Sequence, residues 1–261
     1  MKCLCESSSA RFAKPTPLRR AALDIGRIAR GNCLLARLPF ASWQRWLPHL
    51  EWVDLPQGQV LHESGAVPSH AYFPTTAIVS MLNVTRDGAS TEIAAVGNEG
   101  VVGVSLFMGG VPACNRAVVQ STGFGLRLMA QAMRAEFERS SEVMQVLLRY
   151  TQALMTQMGQ TAVCNRHHSI DQQLCRCLLS NLDRLGNNEI LMTHELIAGM
   201  LGVRREGVTE TALKLQAAGL IRYARGRITV LDRPALQRRA CECYAVVKKE
   251  YDQLLAHRLA A

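Results

Sequence analysis

Thr193-His194-Glu195-Leu196-Ile197-Ala198-Gly199-Met200-Leu201-Gly202 runs directly into Val203-Arg204-Arg205-Glu206-Gly207-Val208-Thr209-Glu210-Thr211-Ala212-Leu213-Lys214-Leu215. The first ten residues open on a threonine, whose hydroxyl can accept from the free amides of a helix start. They close on a glycine, which tolerates the left-handed backbone of a helix stop. Ala198 is small enough for a second helix to cross closely, and Gly202, four residues on, supplies a tight turn. Ile197, Leu201, Val203, Val208 and Leu215 recur at the spacing that fills the interface between two such helices. The stretch reads as a helix-turn-helix. Its second helix keeps Arg204, Arg205, Glu206, Thr209 and Glu210 on an outward, N-terminal side. Arginine can bond O6 and N7 of guanine together and glutamate accepts from N4 of cytosine, so these side chains suit a major groove. Thr193, at the head of the first helix, joins them in the expected DNA-contacting set.

The residues that follow extend the same reading. Ala217-Ala218-Gly219-Leu220-Ile221-Arg222-Tyr223 leads to Ala224-Arg225-Gly226-Arg227-Ile228-Thr229-Val230-Leu231, two alternating runs joined through a glycine. That pattern predicts a wing with arginines at its tip, and Arg225 and Arg227 are expected to meet phosphates, which position a protein on a duplex without specifying sequence.

Charge is distributed accordingly. The chain of 261 residues carries +9 overall. Residues 31–203 are near neutral, with eleven basic against thirteen acidic side chains, whereas residues 204–227 hold six basic against two acidic. A short cationic block of this kind is the footprint of a phosphate-contacting surface. A second excess lies in residues 1–30, with seven basic and two acidic side chains and no sustained periodicity. Those residues read as a basic flexible tail or as an over-extended start of the reading frame. The opening holds no apolar stretch of signal-peptide length and no uncharged run approaches the roughly 18 residues of a membrane span, so a cytoplasmic protein with no membrane partner is expected.

Upstream of the helix-turn-helix the texture changes twice. From Asn32 to about Arg127 short apolar runs alternate with turns. Asp54–Gly58 reads as a turn, Gln59–His62, Tyr72–Phe73 and Ile78–Val84 as strands, and Arg86-Asp87-Gly88 as a hairpin. Further strands are expected at Thr91–Val96, Val101–Val104 and Ala117–Gln120, which together indicate an antiparallel barrel or roll. Near Met129 the period becomes 3.6. Ala130–Arg139 suits a short helix, and a long one follows from about Ser140 to Asn165 with Ser140 or Ser141 as cap. Met144, Leu147, Thr151, Leu154, Met158 and Thr161 form a heptad seam along it, and Leu148, Met155 and Ala162 a second stripe. Two stripes need two partners. The seam is read as a homodimer interface and the second stripe as the face that lies on the roll; a helix buried within one large domain is the competing reading. Ser169 and Gly186 bound a further helix, and Asp232 with Pro234 opens a last one.

These residues resemble the Crp/Fnr family of bacterial transcription regulators over roughly Asn32 to Leu231. The resemblance is most specific in Leu201-Gly202-Val203-Arg204-Arg205-Glu206, Gly219-Leu220-Ile221 and Gly226-Arg227-Ile228. It implies an α+β fold: an N-terminal antiparallel β-roll (cyclic-nucleotide-binding-like), a long dimerisation helix and a C-terminal winged helix-turn-helix. The organisation expected is a tail over 1–30, an effector-type roll over 31–139, a dimerisation helix over 140–168, the winged helix over 169–233 and a C-terminal helix over 234–261. It also implies that Arg205 and Glu206 take the family's base-reading pair. Glu210 stands where many members carry a further arginine, so the target sequence should differ from theirs. The implied phosphate cassette falls on Gly103, Val104, Arg116 and Ala117. Arg116 suits a cyclic phosphate, but Val104 and Ala117 stand where a ribose-binding glutamate and a small hydroxyl residue are expected. The missing bond to a charged group is worth about 1.5–3 kcal/mol, so cAMP is not the expected ligand. No cofactor is predicted, and any small-molecule or nucleotide effector stays unassigned. The partners implied are double-stranded DNA with a palindromic site and a second copy of the chain, with RNA polymerase a further candidate.

Nine cysteines, an odd number, argue against a disulfide framework. Cys3/Cys5, Cys175/Cys177 and Cys241/Cys243 are C-x-C pairs with no matched C-x2-C, so no metal site is assigned. An alternative reading, a metal- or redox-responsive binding protein, would use Cys164, His167, His168, Cys175 and Cys177. No Gly-x-Ser-x-Gly, Walker-type loop or His-Glu-x-x-His occurs, so an enzyme is not expected.

Overall fold

The computed structural model describes residues 25, 26 and 28–256. Most of the expected basic tail, and positions 257–261 of the expected C-terminal helix, lie outside the described residues. After a short helix, α1 (Phe40–Trp46), seven strands follow: β1 (Leu50–Leu55), β2 (Val60–His62), β3 (His70–Pro74), β4 (Ile78–Val84), β5 (Ser90–Val96), β6 (Arg116–Ser121) and β7 (Gly123–Met129). They form two antiparallel sheets, ordered β2-β6-β4-β5 and β1-β7-β3, that close over one apolar core. Trp46, Phe73, Leu126 and Leu128 lie at its centre, with Trp46 and Phe73 at 5.8 Å between ring centroids.

Two details of the roll differ from the sequence reading. Val101–Val104 is not a strand: Val102 makes one antiparallel bridge to Tyr72, then Gly103 turns left-handed at φ 108° and Val104–Leu106 close a 3-10 turn. Alternation cannot register that single reversal. In addition, β1 and β7 pair from Leu50↔Leu128 to Leu55↔Gly123, a pairing that alternation does not reveal, since solvent wets much of β1 and its exposed residues are not strictly alternate.

The helices begin where their caps place them. α2 (Ala130–Arg139) leads into α3 (Ser141–His167), whose cap Ser140 accepts from the Val143 amide. α4 (Ile170–Leu185) starts on a reciprocal Ser169–Gln172 capping box and stops at Gly186, φ 67°. Inside α3 the seam expected to meet a second copy is covered by the chain itself. Leu147, Thr151, Leu154 and Thr161 are buried within the single chain, and Met144 and Met158 are half-buried, so this seam is filled by the chain's own roll and C-terminal helix. The stripe expected to lie on the roll is open instead: Leu148 is 47 % exposed, Met155 64 %, and Ala162 is exposed too, with Val163 beside it 45 % exposed. Periodicity shows that a helix has two apolar faces, but not which neighbour covers each. On the inner face Tyr150 is fully buried and donates to the Val101 carbonyl at 2.9 Å, while Gln157 donates to the Ala95 carbonyl.

The C-terminal region has its own core, built from Leu174, Leu178, Ile197, Val208, Leu215 and Ile228. α5 (His194–Leu201) and α6 (Arg205–Ala217) cross in front of a three-stranded sheet of order β8-β10-β9, made of β8 (Glu189–Leu191), β9 (Ile221–Ala224) and β10 (Arg227–Val230). The last segment is two helices, where one was expected. α7 (Arg233–Arg239), capped by Asp232, ends at an extended Ala240, and α8 (Glu242–Ala256) runs back along α3. Tyr244 of α8 joins the C-terminal core while Tyr251 and Leu254 join that of the roll, so this helix straps the two together. Tyr251 also donates to Gln157 Oε1 of α3 at 2.8 Å.

Gly202 is pressed from two sides. Its φ is 65°, and a Cβ there would sit 3.1 Å from Thr91 Oγ1 of β5. A left-handed non-glycine residue costs roughly 1–2 kcal/mol. Gly202→Ala is therefore expected to lower unfolding free energy by at least about 1 kcal/mol in a denaturant titration.

Candidate nucleic-acid interface

Thr193 caps α5: its Oγ1 accepts from the Leu196 amide at 3.2 Å. Ile197, Ala198 and Leu201 of α5 pack against Val208, Ala212 and Leu215 of α6, all buried, with Val203 partly so. The expected interface between the two helices therefore forms. Its consequence is orientation: once that face is buried, the residues left pointing outward are Arg204, Arg205, Glu206 and Glu210. Arg204 is the extended cap residue of α6 and Arg205 its first helical residue, so both cations flank the amide-bearing end of the helix.

The outward side chains differ in how free they are. Arg205 lies 3.9 Å from Glu195 with both side chains more than half exposed, a pair that solvent weakens to almost nothing. Glu210 is held by Lys214 at 2.7 Å one turn on, which keeps its carboxyl below the ordinary range. Thr209, expected to face DNA, spends its hydroxyl internally. It donates to the Arg205 carbonyl at 3.0 Å and lies 3.0 Å from His194 Nδ1. With that hydroxyl proton already committed, His194 is the donor of the second bond.

His194 is the residue that the pattern did not single out. Its ring stacks on Tyr223 of the wing with centroids 4.1 Å apart and planes 20° apart, while Nδ1 reaches α6. One imidazole thus ties the first helix, the second helix and the wing. Burial first, and then the Arg205 charge, hold its pKa below the ordinary value, which suits a neutral donor. A helix-first histidine three-dimensionally opposed to Tyr223 leaves no signal in linear spacing.

The wing turns through Arg225 and Gly226, both at positive φ (50° and 77°), the geometry of the tight hairpin that follows the twist of its strands. Arg225 is the left-handed non-glycine residue of that turn and is exposed at the tip. Arg227, although exposed, is ion-paired with Glu189 of β8. Exposed Arg222 adds a further cation on β9 that was not placed in the expected set.

The four cassette residues do not make an anion site of matching parts. Gly103 is the left-handed cap of a 3-10 turn, Val104 packs on the roll core, and Ala117 is fully buried in β6. Arg116 pairs with Glu63 at 3.1 Å. The cysteine–histidine set of the alternative reading also divides. Cys175 and Cys177 face into the C-terminal core, where burial pushes both thiols up to about 12, and His167 is exposed. Cys164 and His168 do meet, but with Cys241 and Cys243.

A β-roll, a long helix and a winged helix-turn-helix with a cationic outer face define the class of protein. Residues 172–239 match the family model described as the Crp-like helix-turn-helix domain. No curated protein matches the chain in sequence. Solved structures do match in fold. FixK2 from Bradyrhizobium japonicum is 14% identical, with 74% of this chain and 98% of that one covered at a TM-score of 0.63. A CRP-family transcriptional regulator from Thermus thermophilus is 20% identical, covering 72% and 96% at 0.60. CLP, the c-di-GMP-responsive global regulator of Xanthomonas campestris, is 14% identical, covering 74% and 100% at 0.60. The chain carries a Crp-like helix-turn-helix domain within the Crp/Fnr fold, and the resemblance read from its sequence holds. Among the described residues no helix is long and apolar enough to cross a membrane.

Proposed function

We propose that the protein is a homodimeric, sequence-specific DNA-binding transcription regulator of the Crp/Fnr type. The observation that carries this reading is the free, outward cationic end of α6: Arg204, Arg205 and Glu206 are exposed on a helix whose opposite face is buried. Arg205 and Glu206 read base edges, and Arg204, Arg225 and Arg227 meet phosphates once Arg227 trades Glu189 for the duplex. Thr193 and Thr209 act through the helix cap and the His194 bond, holding α6 at its angle. Glu210 faces the groove with Lys214 beside it. The two copies meet along the open stripe of α3, around Leu148 and Met155, which presents two winged helices to a palindromic site. RNA polymerase is a further candidate partner for the bound dimer.

The roll is the sensing half of this reading. Its effector is not cAMP, since Val104 and Ala117 offer no side-chain hydrogen bond and Arg116 is engaged by Glu63. Any effector acts by binding two arrangements of the DNA-binding halves unequally.

Fluorescence anisotropy with a palindromic duplex selected from genomic fragments tests the DNA half. Arg205→Ala is expected to lose about 1–3 kcal/mol, roughly 5- to 150-fold in affinity, and to relax base preference at one position per half-site. Arg225→Ala should weaken all sequences alike and reduce the salt slope by about one. Unchanged affinity on Arg205→Ala overturns the assigned recognition helix.

A further inference from the structure

Four side chains converge where α3 hands over to α4. Cys164 lies in the last turn of α3 and His168 is its C-terminal cap residue, while Cys241 and Cys243 flank the start of α8. Their ligand atoms all fall within 4.8 Å of one another, and the three cysteines are buried. Cys164 Sγ is 3.5 Å from Cys241 Sγ, and Cys243 Sγ is 3.6 Å from His168 Nδ1. In a tetrahedral zinc site, bond lengths of roughly 2.3 Å to sulfur and 2.0 Å to nitrogen place two thiolates about 3.8 Å apart and a thiolate and an imidazole about 3.5 Å apart. The Cys164–Cys241 and Cys243–His168 edges already lie near those values.

The surroundings supply what such a site needs. His168 turns Nδ1 to the sulfurs and Nε2 toward Glu242, 3.3 Å away, so a carboxylate fixes the tautomer and ring angle as it does for metal-bound histidines. Three thiolates, a neutral imidazole and a divalent ion sum to one negative charge. Arg176 of α4 answers it, its Nε donating to Cys164 Sγ at 3.2 Å. Gln173 donates to the carbonyls of both Cys164 and His168, at 3.2 and 2.9 Å, which fixes the backbone between the two ligands that α3 contributes.

We infer that Cys164, His168, Cys241 and Cys243 form a structural Cys3His zinc site that pins α8 to the junction of α3 and α4. Binding needs no redox step: Zn2+ displaces the thiol protons to solvent and takes four ligands, a closed set with no open position. The site sits at the connection between the long helix and the DNA-binding half, so it would set the angle at which the winged helix leaves α3. That last consequence rests on the proposed function; the metal site does not.

The test uses the full-length protein, purified under reducing conditions with zinc in the medium. Elemental analysis is expected to find one zinc per chain. Alkylation followed by mass spectrometry should show Cys164, Cys241 and Cys243 protected until a chelator is added, with Cys114, outside the cluster, labelled throughout. Cobalt(II) added to the chelated protein should give the visible bands of a tetrahedral, thiolate-bound ion. Cys243→Ser and His168→Gln are each expected to lower zinc retention at least tenfold on dialysis against a weak chelator, whereas Cys175→Ser should leave it unchanged. A reduced, folded protein without stoichiometric metal and without tetrahedral cobalt bands overturns the inference. So does zinc that survives a Cys164→Ser/Cys241→Ser double variant, or a Cys164–Cys241 disulfide found in place of the metal. Metal content is read without DNA, so failure here is separate from failure of the DNA-binding proposal.

Discussion

Glu99→Ala is expected to destabilise the protein by about 3–5 kcal/mol. Glu99 follows β5 in the roll and Arg184 stands near the end of α4 in the C-terminal half; they meet at 2.8 Å with side chains only 10 % and 8 % exposed. The guanidinium also donates to the Ala95 carbonyl at 3.0 Å and to Ser180 at 3.2 Å, while the Gly97 amide donates to Glu99. A pair so enclosed contributes modestly as a pair, because desolvation offsets most of its attraction. Removing one member leaves an ionised guanidinium away from water, and that is what is costly. Burial opposes the charge on Arg184 and the Glu99 carboxylate favours it, but a guanidinium keeps its proton in either case, so alanine at 99 strands a cation rather than a neutral group.

Denaturant titration checks the magnitude, and the double replacement Glu99→Leu/Arg184→Met separates the mechanisms. It should regain most of the loss, since an apolar pair of similar volume strands no charge. A single-variant loss under about 1 kcal/mol would show that water reaches the pair. Because the pair ties the roll to the winged-helix half, loss of Glu99 should also loosen how that half is held on the roll.

For the proposed dimer, Met155→Glu is expected to separate the two copies and to weaken binding to a two-half-site duplex by roughly 10²- to 10⁴-fold. Met155 is 64 % exposed at the centre of the open stripe of α3, and Gly159 beside it leaves room for a close approach. In a parallel, two-fold symmetric pair, glutamate at this position would face its own copy across the axis, and like charges in a desolvating interface repel. The loss of affinity follows from losing the tether: once one half-site is bound, the second winged helix acts at an effective concentration near millimolar only while the copies stay joined. Half-site affinity should be unchanged. Sedimentation and anisotropy measure the two quantities. A dimeric Met155→Glu protein would place the interface elsewhere, whereas Leu154→Glu, buried against the chain's own core, should fail to fold instead.

Much of the interface was legible because its signals are local. Thr193, Ser169 and Ser140 cap the helices expected of them, since a hydroxyl beside free amides acts within three residues. The Arg225–Gly226 hairpin and the Arg86–Gly88 turn are local for the same reason. Long-range pairings were opaque. Val101–Val104 carries strand-like residues but meets a single bridge, and β1 finds its partner more than sixty residues downstream. Arg116 suits a phosphate by type yet meets Glu63 across the roll.

By itself the sequence determined the capped starts of the main helices, the wing hairpin and the cationic outer edge of α6, because propensity, capping and periodicity are properties of neighbours along the chain. Tertiary structure alone decided which stripe of α3 stays open, that Thr209 is spent on His194, and that Cys164 and His168 meet Cys241 and Cys243 across some seventy intervening residues. Those outcomes depend on how α8 folds back along α3, a packing choice among several apolar faces that no residue encodes in its own vicinity.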